Sequence, residues 1–152
     1  MSDLDLLKSH PFCRGLSEQQ TQALLAAARS VHYPEGAVIF REGGAANAVY
    51  LLLTGRVVLE QHVPGKGDVQ LENLVGGDLL GLSWLFTGAR WVLDARAVEA
   101  TDCIVLDAAK VHALMNADAA LGLALAQHVI MQLYQRLERV RLQRLDVYRG
   151  DR

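Results

Sequence analysis

The sequence predicts a mainly β domain with flanking helices. The expected form is a double-stranded β-helix, or jelly-roll-like β-roll, set between N-terminal helices and a long C-terminal helix. Three observations carry this. Short apolar runs separated by turn residues fill residues 30–107. The hydrophobic period is helical before residue 30 and again after residue 107. The last helical stretch, Asp118 to about Tyr148, contains no proline and a single early glycine, Gly122. About thirty helical residues span roughly 45 Å, longer than a core of this size requires. The expected organisation is one domain over residues 1–152: helices in 1–29, the roll in 30–107 and helices in 108–148.

At the start, Leu4, Leu6 and Leu7 make an apolar turn that Pro11 ends. Ser17 and Gln20 have capping-box spacing, and Leu16 can staple the turn they open. The helix that follows is expected to run through Leu24, Leu25 and Ala28 to about Arg29. Val31, Tyr33, Val38 and Phe40 then sit in short runs broken by Pro34-Glu35-Gly36 and Gly43-Gly44. Strands are expected at Ala48–Leu53, Arg56–His62 and Val69–Val75, the last two joined as a hairpin through Pro64-Gly65-Lys66-Gly67-Asp68. Two further strands, Trp91–Glu99 and Cys103–Leu106, flank a turn at Ala100-Thr101-Asp102. A short helix at Ala108–Met115 precedes the long one, for which Asp118 is a good N-cap.

Composition narrows the function. Hydrophobic residues make up 51% of the chain and prolines number three, which excludes disorder. The net charge is −2, which gives no electrostatic reason to bind nucleic acid. Charge is uneven, with 9 Lys/Arg against 13 Asp/Glu in residues 1–117 and 6 against 4 in residues 118–152. Cys13 and Cys103 stand far apart without metal spacing, which argues against a disulfide scaffold and an iron–sulfur cluster. The first residues, MSDLDLLKSH, lack the apolar core of a signal peptide, and no apolar run reaches membrane-spanning length. The chain reads as cytoplasmic, with no membrane partner.

The segment Gly76–Glu99 holds the candidate site. Gly76-Gly77-Asp78 makes a turn, Ser83-Trp84-Leu85-Phe86 reads as one helical turn, and Thr87-Gly88-Ala89-Arg90 is a loop. Backbone N–H groups at the start of such a turn can cradle an anion. Gly76 and Gly81 have the glycine spacing of a phosphate-binding loop, but Leu82 stands where its lysine would be. The histidines, His10, His32, His62, His112 and His128, show no metal-protease spacing, and no nucleophile–base pair is legible. An enzyme has no supporting site here.

The ordered series Glu35-Gly36, Arg41-Glu42-Gly43, Leu51-Leu52-Leu53-Thr54-Gly55-Arg56-Val57 and Gly76-Gly77-Asp78-Leu79-Leu80-Gly81 resembles the cyclic-nucleotide-binding domain of the cAMP receptor protein family of transcription regulators. The resemblance runs from His10-Pro11-Phe12 to the long helix. It implies an effector-binding roll and a dimerising helix. By this resemblance the candidate ligand cassette is Gly77, Leu80, Gly81, Leu82 and Ser83, with Arg90 or Arg96 for an anion. Two departures stand out. The family's cassette has a glutamate after the glycine for a ribose hydroxyl, and here Leu82 follows Gly81. About ten residues on, the family places an arginine against the cyclic phosphate, and Val92 and Leu93 stand there instead. Each lost charge-assisted contact costs about 1.5–3 kcal/mol, one to two decades of affinity.

These departures favour a non-catalytic regulatory or sensor domain with degenerate cyclic-nucleotide recognition, acting through protein contacts. Two alternatives stay open. One is a true cAMP or cGMP binder using Arg90 or Arg96 in a shifted register. The other is a sensor of haem or another apolar ligand, with His62 as a possible ligand and Leu80, Leu82, Trp84 and Phe86 as apolar surroundings. Arg96 can pair with Asp94 along its own strand, and Trp84 and Trp91 read as core. The arginines at 136, 139, 141, 144, 149 and 152 read as a solvated face interrupted by Glu138, Asp146 and Asp151. The chain stops at Arg152 with no recognition helix, so sequence-specific DNA binding is not expected. Ala126, Ile130, Leu133, Leu137 and Val140 follow alternating steps of four and three, the seam of a coiled coil. They predict a parallel homodimer. A second set, Leu121, Leu125, Val129, Leu142 and Leu145, lies partly off that seam, and one face of the helix can cover the roll.

Overall fold

The computed structural model describes residues 2–150, with side chains described up to Val147. Arg152, Asp151 and the side chain of Arg149, all assigned above to a solvated tail, lie outside the described residues. Ser2 caps α1 (Asp3–Ser9): its hydroxyl accepts the Asp5 N–H, and the Asp5 carboxylate takes the Ser2 N–H in return. A 3₁₀ turn follows at Pro11–Cys13, where the missing proline N–H costs nothing. The expected capping box of Ser17 and Gln20 starts α2 (Glu18–Leu25).

The helix ends four residues earlier than the sequence suggested. Ala28 and Arg29 are the first rungs of β1 (Ala28–Tyr33), opposite Leu106 and Val105. Local helix preference in Ala26–Arg29 amounts to tenths of a kcal/mol per residue, and a ladder of cross-strand pairs overrides it.

The remaining strands are β2 (Val38–Phe40), β3 (Ala48–Thr54), β4 (Arg56–Val63), β5 (Gly67–Val75), β6 (Asp94–Ala97) and β7 (Thr101–Asp107). They form two antiparallel sheets in the orders β1-β7-β3 and β2-β6-β4-β5. The three-stranded sheet is the drier one. Ala48–Leu52 of β3 and Cys103–Leu106 of β7 are buried without alternation, because the roll covers one face and the helices the other. In the second sheet Val57 and Leu59 of β4 sit opposite Ala97 and Ala95 of β6 and face inward.

Several strand boundaries differ from expectation: β5 begins at Gly67, inside the expected loop, and β6 ends at Ala97, short of Glu99. Trp91–Leu93 do not belong to β6. The Trp91 N–H donates to the Gly44 carbonyl and the Gly43 N–H to the Trp91 carbonyl, both at 2.8 Å, so this stretch pairs with a loop. Thr101 and Asp102 are not a turn but the start of β7. Thr101 is fully buried, with its hydroxyl donating to the Glu99 carbonyl at 2.9 Å.

The chain closes with α3 (Ala108–Ala117) and α4 (Ala119–Gly150). Asp118 between them caps α4 as expected, accepting the Leu121 N–H at 3.1 Å and the Gln20 amide at 3.1 Å. Gly122 allows the two helices to approach, since a Cβ there would meet the Met115 carbonyl at 2.9 Å. Leu121, Leu125 and Val129 are buried and join the core that links both sheets to the N-terminal helices. Leu142 and Leu145, grouped with them above, are exposed. The stripe that meets the roll continues in polar residues instead, Gln132 and Arg136, and beyond them the helix runs beside β5, where Arg139 pairs with Glu72.

Candidate functional site

The cradle begins as an extension of the roll. Gly77 N–H donates to the Leu52 carbonyl at 2.9 Å, Leu52 N–H to the Asp78 carbonyl at 3.0 Å and Leu80 N–H to the Tyr50 carbonyl at 3.0 Å. The Asp78 carboxylate folds back to accept the Val75 N–H at 2.9 Å, which closes the Gly76–Gly77 turn. Leu79 and Leu80 are thereby buried against β3. Leu82 then leads into a 3₁₀ turn at Ser83–Leu85, the expected single helical turn, without any side-chain cap.

Trp91 occupies the space over the cradle glycine. A Cβ on Gly81 would run into the six-membered ring of this indole. Trp91 itself is 4% exposed. It stacks on Phe40 with centroids 4.0 Å apart and rings 9° from parallel, and Tyr50 lies at 6.0 Å. Trp84 is fully buried, edge-on to Phe12, and its carbonyl accepts from His112 Nε2 at 2.7 Å. Both tryptophans are core, as read from the sequence. Of the other apolar candidates, Leu80 is buried, Leu82 is half-buried and Phe86 is exposed.

The two candidate arginines are engaged elsewhere. Arg96 does not pair with Asp94. Its Nε donates to Glu60 Oε1 at 2.8 Å and its Nη2 to Glu60 Oε2 at 3.3 Å, a two-point pair with the neighbouring strand. Asp94 instead accepts the Glu42 N–H at 2.7 Å. Side chains alternate along β6, so with Ala95 and Ala97 facing the core Arg96 faces outward, away from the roll interior. Hydrogen bonding to Glu60 raises the Arg96 pKa further. Arg90 donates to the Gly43 carbonyl at 2.8 Å on the rim of a cavity of about 240 Å³ lined also by Trp84, Phe86 and His112. Val92, which with Leu93 is the expected equivalent of the family's arginine, is 66% exposed.

Sequence reasoning missed the polar side chains that α4 turns toward the cradle. Gln132 Oε1 accepts the Leu79 N–H at 3.2 Å, and Arg136 Nη2 donates to the Leu79 carbonyl. Arg136 is therefore not part of a solvated face. Its side chain is 11% exposed, and burial pulls its pKa below the ordinary value. Glu72 on β5 lies 4.0 Å from Arg136 and 2.8 Å from Arg139, while Arg141 pairs with Glu138. The spacing of Gln132 and Arg136 at i and i+4, in line with Leu121, Leu125 and Val129, was the available signal.

Other chemistry is sparse. His62 is exposed on the β4–β5 hairpin beside Asp68 at 3.1 Å. Among the described residues no three His, Cys, Asp or Glu side chains converge to hold a metal ion. Burial pushes both cysteine thiols up to about 12, which leaves them protonated and inert near neutrality. No described helix is long and apolar enough to cross a membrane.

Comparison with known proteins agrees with this architecture. Residues 30–118 match the cyclic nucleotide-binding domain. A crystal structure of a cyclic nucleotide-binding protein from Geobacter metallireducens GS-15 superposes with a TM-score of 0.80 at 25% identity, covering 90% of this chain and 99% of that one. The sensor domain of the transcriptional regulator DNR from Pseudomonas aeruginosa gives 0.72 at 27% identity, covering 88% and 90%. The cyclic AMP receptor protein of Thermus thermophilus is 30% identical over 100 residues, which are 66% of this chain and 46% of that protein. This chain spans less than half the length of the curated relatives it matches. With the β-roll, the cradle and the long helix in place and more than half of its residues matched, the chain belongs to the cyclic nucleotide-binding domain family.

Proposed function

We propose that residues 1–152 form one non-catalytic regulatory domain with degenerate cyclic-nucleotide recognition, cytoplasmic and acting through protein contacts. The observation that carries this reading is the cradle itself. Leu82 replaces the ribose-binding carboxylate, Val92 and Leu93 replace the phosphate arginine, and Trp91 covers Gly81. Arg96, a shifted candidate for the phosphate, is committed to Glu60 on the outer face. The expected outcome of calorimetry is that cAMP and cGMP bind with Kd weaker than about 100 μM. A micromolar constant for either nucleotide overturns the reading, and Arg90→Ala and Arg96→Ala then show which arginine holds the phosphate.

The protein contact proposed is a two-fold homodimer through α4. Ile130, Leu133, Leu137 and Val140 are all about half exposed or more, with Ala126 half-buried at the head of the seam. A continuous apolar stripe of this kind usually marks an interface, and a parallel pair of α4 helices would cover it in both copies. Leu133→Glu with Leu137→Glu should give a folded monomer in sedimentation. Sedimentation of the unaltered protein as a monomer at high micromolar concentration removes the dimer. Sequence-specific DNA binding is not expected of residues 1–152, and any contact through the arginines should fall steeply with salt.

A further inference from the structure

Leu79 is the one residue of the cradle whose backbone is held from both sides by a distant helix. Its N–H goes to Gln132 and its carbonyl to Arg136, contacts that span 53 and 57 residues of sequence. Both partners of each bond are the chain's own atoms. Gln132 and Arg136 lie one turn apart on the same face of α4, directly after the last buried apolar residue of that face, Val129. Glu72 draws the same guanidinium toward β5, and Arg139 closes on Glu72 one turn later. Apolar packing holds α4 as far as Val129, and a polar cluster takes over from Gln132 to Arg139.

We infer that Gln132 and Arg136 latch the distal half of α4 to the cradle without any ligand, so that the chain's own side chains set the direction of the exposed helix face. The latch fits its surroundings chemically. A buried guanidinium needs an acceptor and a counter-charge: the Leu79 carbonyl supplies the first, and the Glu72 carboxylate, 4.0 Å from Nε, supplies the second. A buried peptide N–H needs one too, and the Gln132 amide oxygen supplies it. Leu133 and Leu137 each follow a latch residue by one position, so turning the apolar face about the helix axis must break both bonds to Leu79. By reciprocity, a displacement of Leu79 that breaks both bonds weakens the hold on the distal helix and leaves the Arg139–Glu72 pair. The latch does not depend on the association proposed above.

Hydrogen–deuterium exchange on the full chain, refolded and dialysed without nucleotide, tests this. In Arg136→Met, which keeps an aliphatic side chain and removes the charge, the α4 amides from 132 to 147 and those of Leu79–Gly81 should exchange about tenfold faster. Gln132→Ala should produce a several-fold change in the same two segments and decides alone if Arg136→Met does not fold. The β1–β7 amides should be unchanged in both. Unchanged exchange in the two segments overturns the latch, as does an equal acceleration in β1–β7, which would mean general destabilisation. The same comparison in the Leu133→Glu/Leu137→Glu background should keep the difference. Its loss there overturns the latch, because a partner helix would then be the holding element.

Discussion

The two stripes of α4 look alike as lists of residues and differ in what they touch. Leu121, Leu125 and Val129 are at most 5% exposed, whereas Ile130, Leu133 and Leu137 are 49–62% exposed. Both stripes are apolar at helical spacing. The first lies over the roll and the N-terminal turn. The second turns away from them. The difference teaches that amphipathic periodicity identifies a face that wants cover without saying what covers it.

Four experiments sharpen or break this contrast. The largest effect should come from Leu125→Ala. Deleting a fully buried leucine typically costs about 2–5 kcal/mol, and denaturant unfolding should show it. A loss below about 1 kcal/mol would mean that the first stripe is not core.

Acid should loosen the same side of the molecule. His10 is buried, and its Nδ1 accepts the Phe12 N–H. Phe12 in turn packs on His128 of α4. Burial, the dominant cause, lowers the His10 pKa from 6.5 to about 4, against weaker opposing pulls from the Asp78 and Leu52 backbones. Between these values the unfolded chain binds the proton and the folded one does not. Stability is therefore complete above pH 6.5 and falls as pH drops toward 4, by about 3 kcal/mol at most. The thermal midpoint of His10→Gln should be flatter than that of the parent across this window. Parallel pH profiles would break the assignment.

Arg96→Ala tests a position remote from both stripes. It leaves the buried Glu60 carboxylate without its guanidinium, for an expected loss of about 1–3 kcal/mol in unfolding experiments. Nucleotide affinity should not move with it. The smallest effect should be Leu137→Ala at a concentration low enough to keep the chain monomeric, within about 0.5 kcal/mol of the parent. A loss as large as that of Leu125→Ala would show that the second stripe is covered within a single chain.

Much of the fold was legible because its signals are local. The Ser17–Gln20 capping box, the Asp118 cap, the β4–β5 hairpin and the single turn at Ser83–Leu85 each depend on residues within a few positions of one another. Errors arose where distant partners decided. Ala28 and Arg29 left the helix to pair with β7, Trp91 left its strand to pair with Gly44, and Arg96 took Glu60 from the next strand instead of Asp94. The turns at Gly76–Gly77 and Ser83–Leu85 could be placed from sequence, but the indole lying on Gly81 could not, since Trp91 reaches it only after the loop at 87–90 turns the chain back.

By itself the sequence determined the order of elements, the turn at Gly76–Gly77, and the length of α4. These follow from covalent spacing, turn chemistry and hydrophobic period, which act within a few residues. Only the tertiary structure decided that Arg96 faces outward, that Trp91 fills the space over Gly81, and that Gln132 and Arg136 serve the backbone of Leu79 rather than solvent. The reason is physical. A buried polar group must find a partner wherever the fold brings one, and partners 36, 53 and 57 residues away become neighbours only when the sheets and the helix have closed around one core.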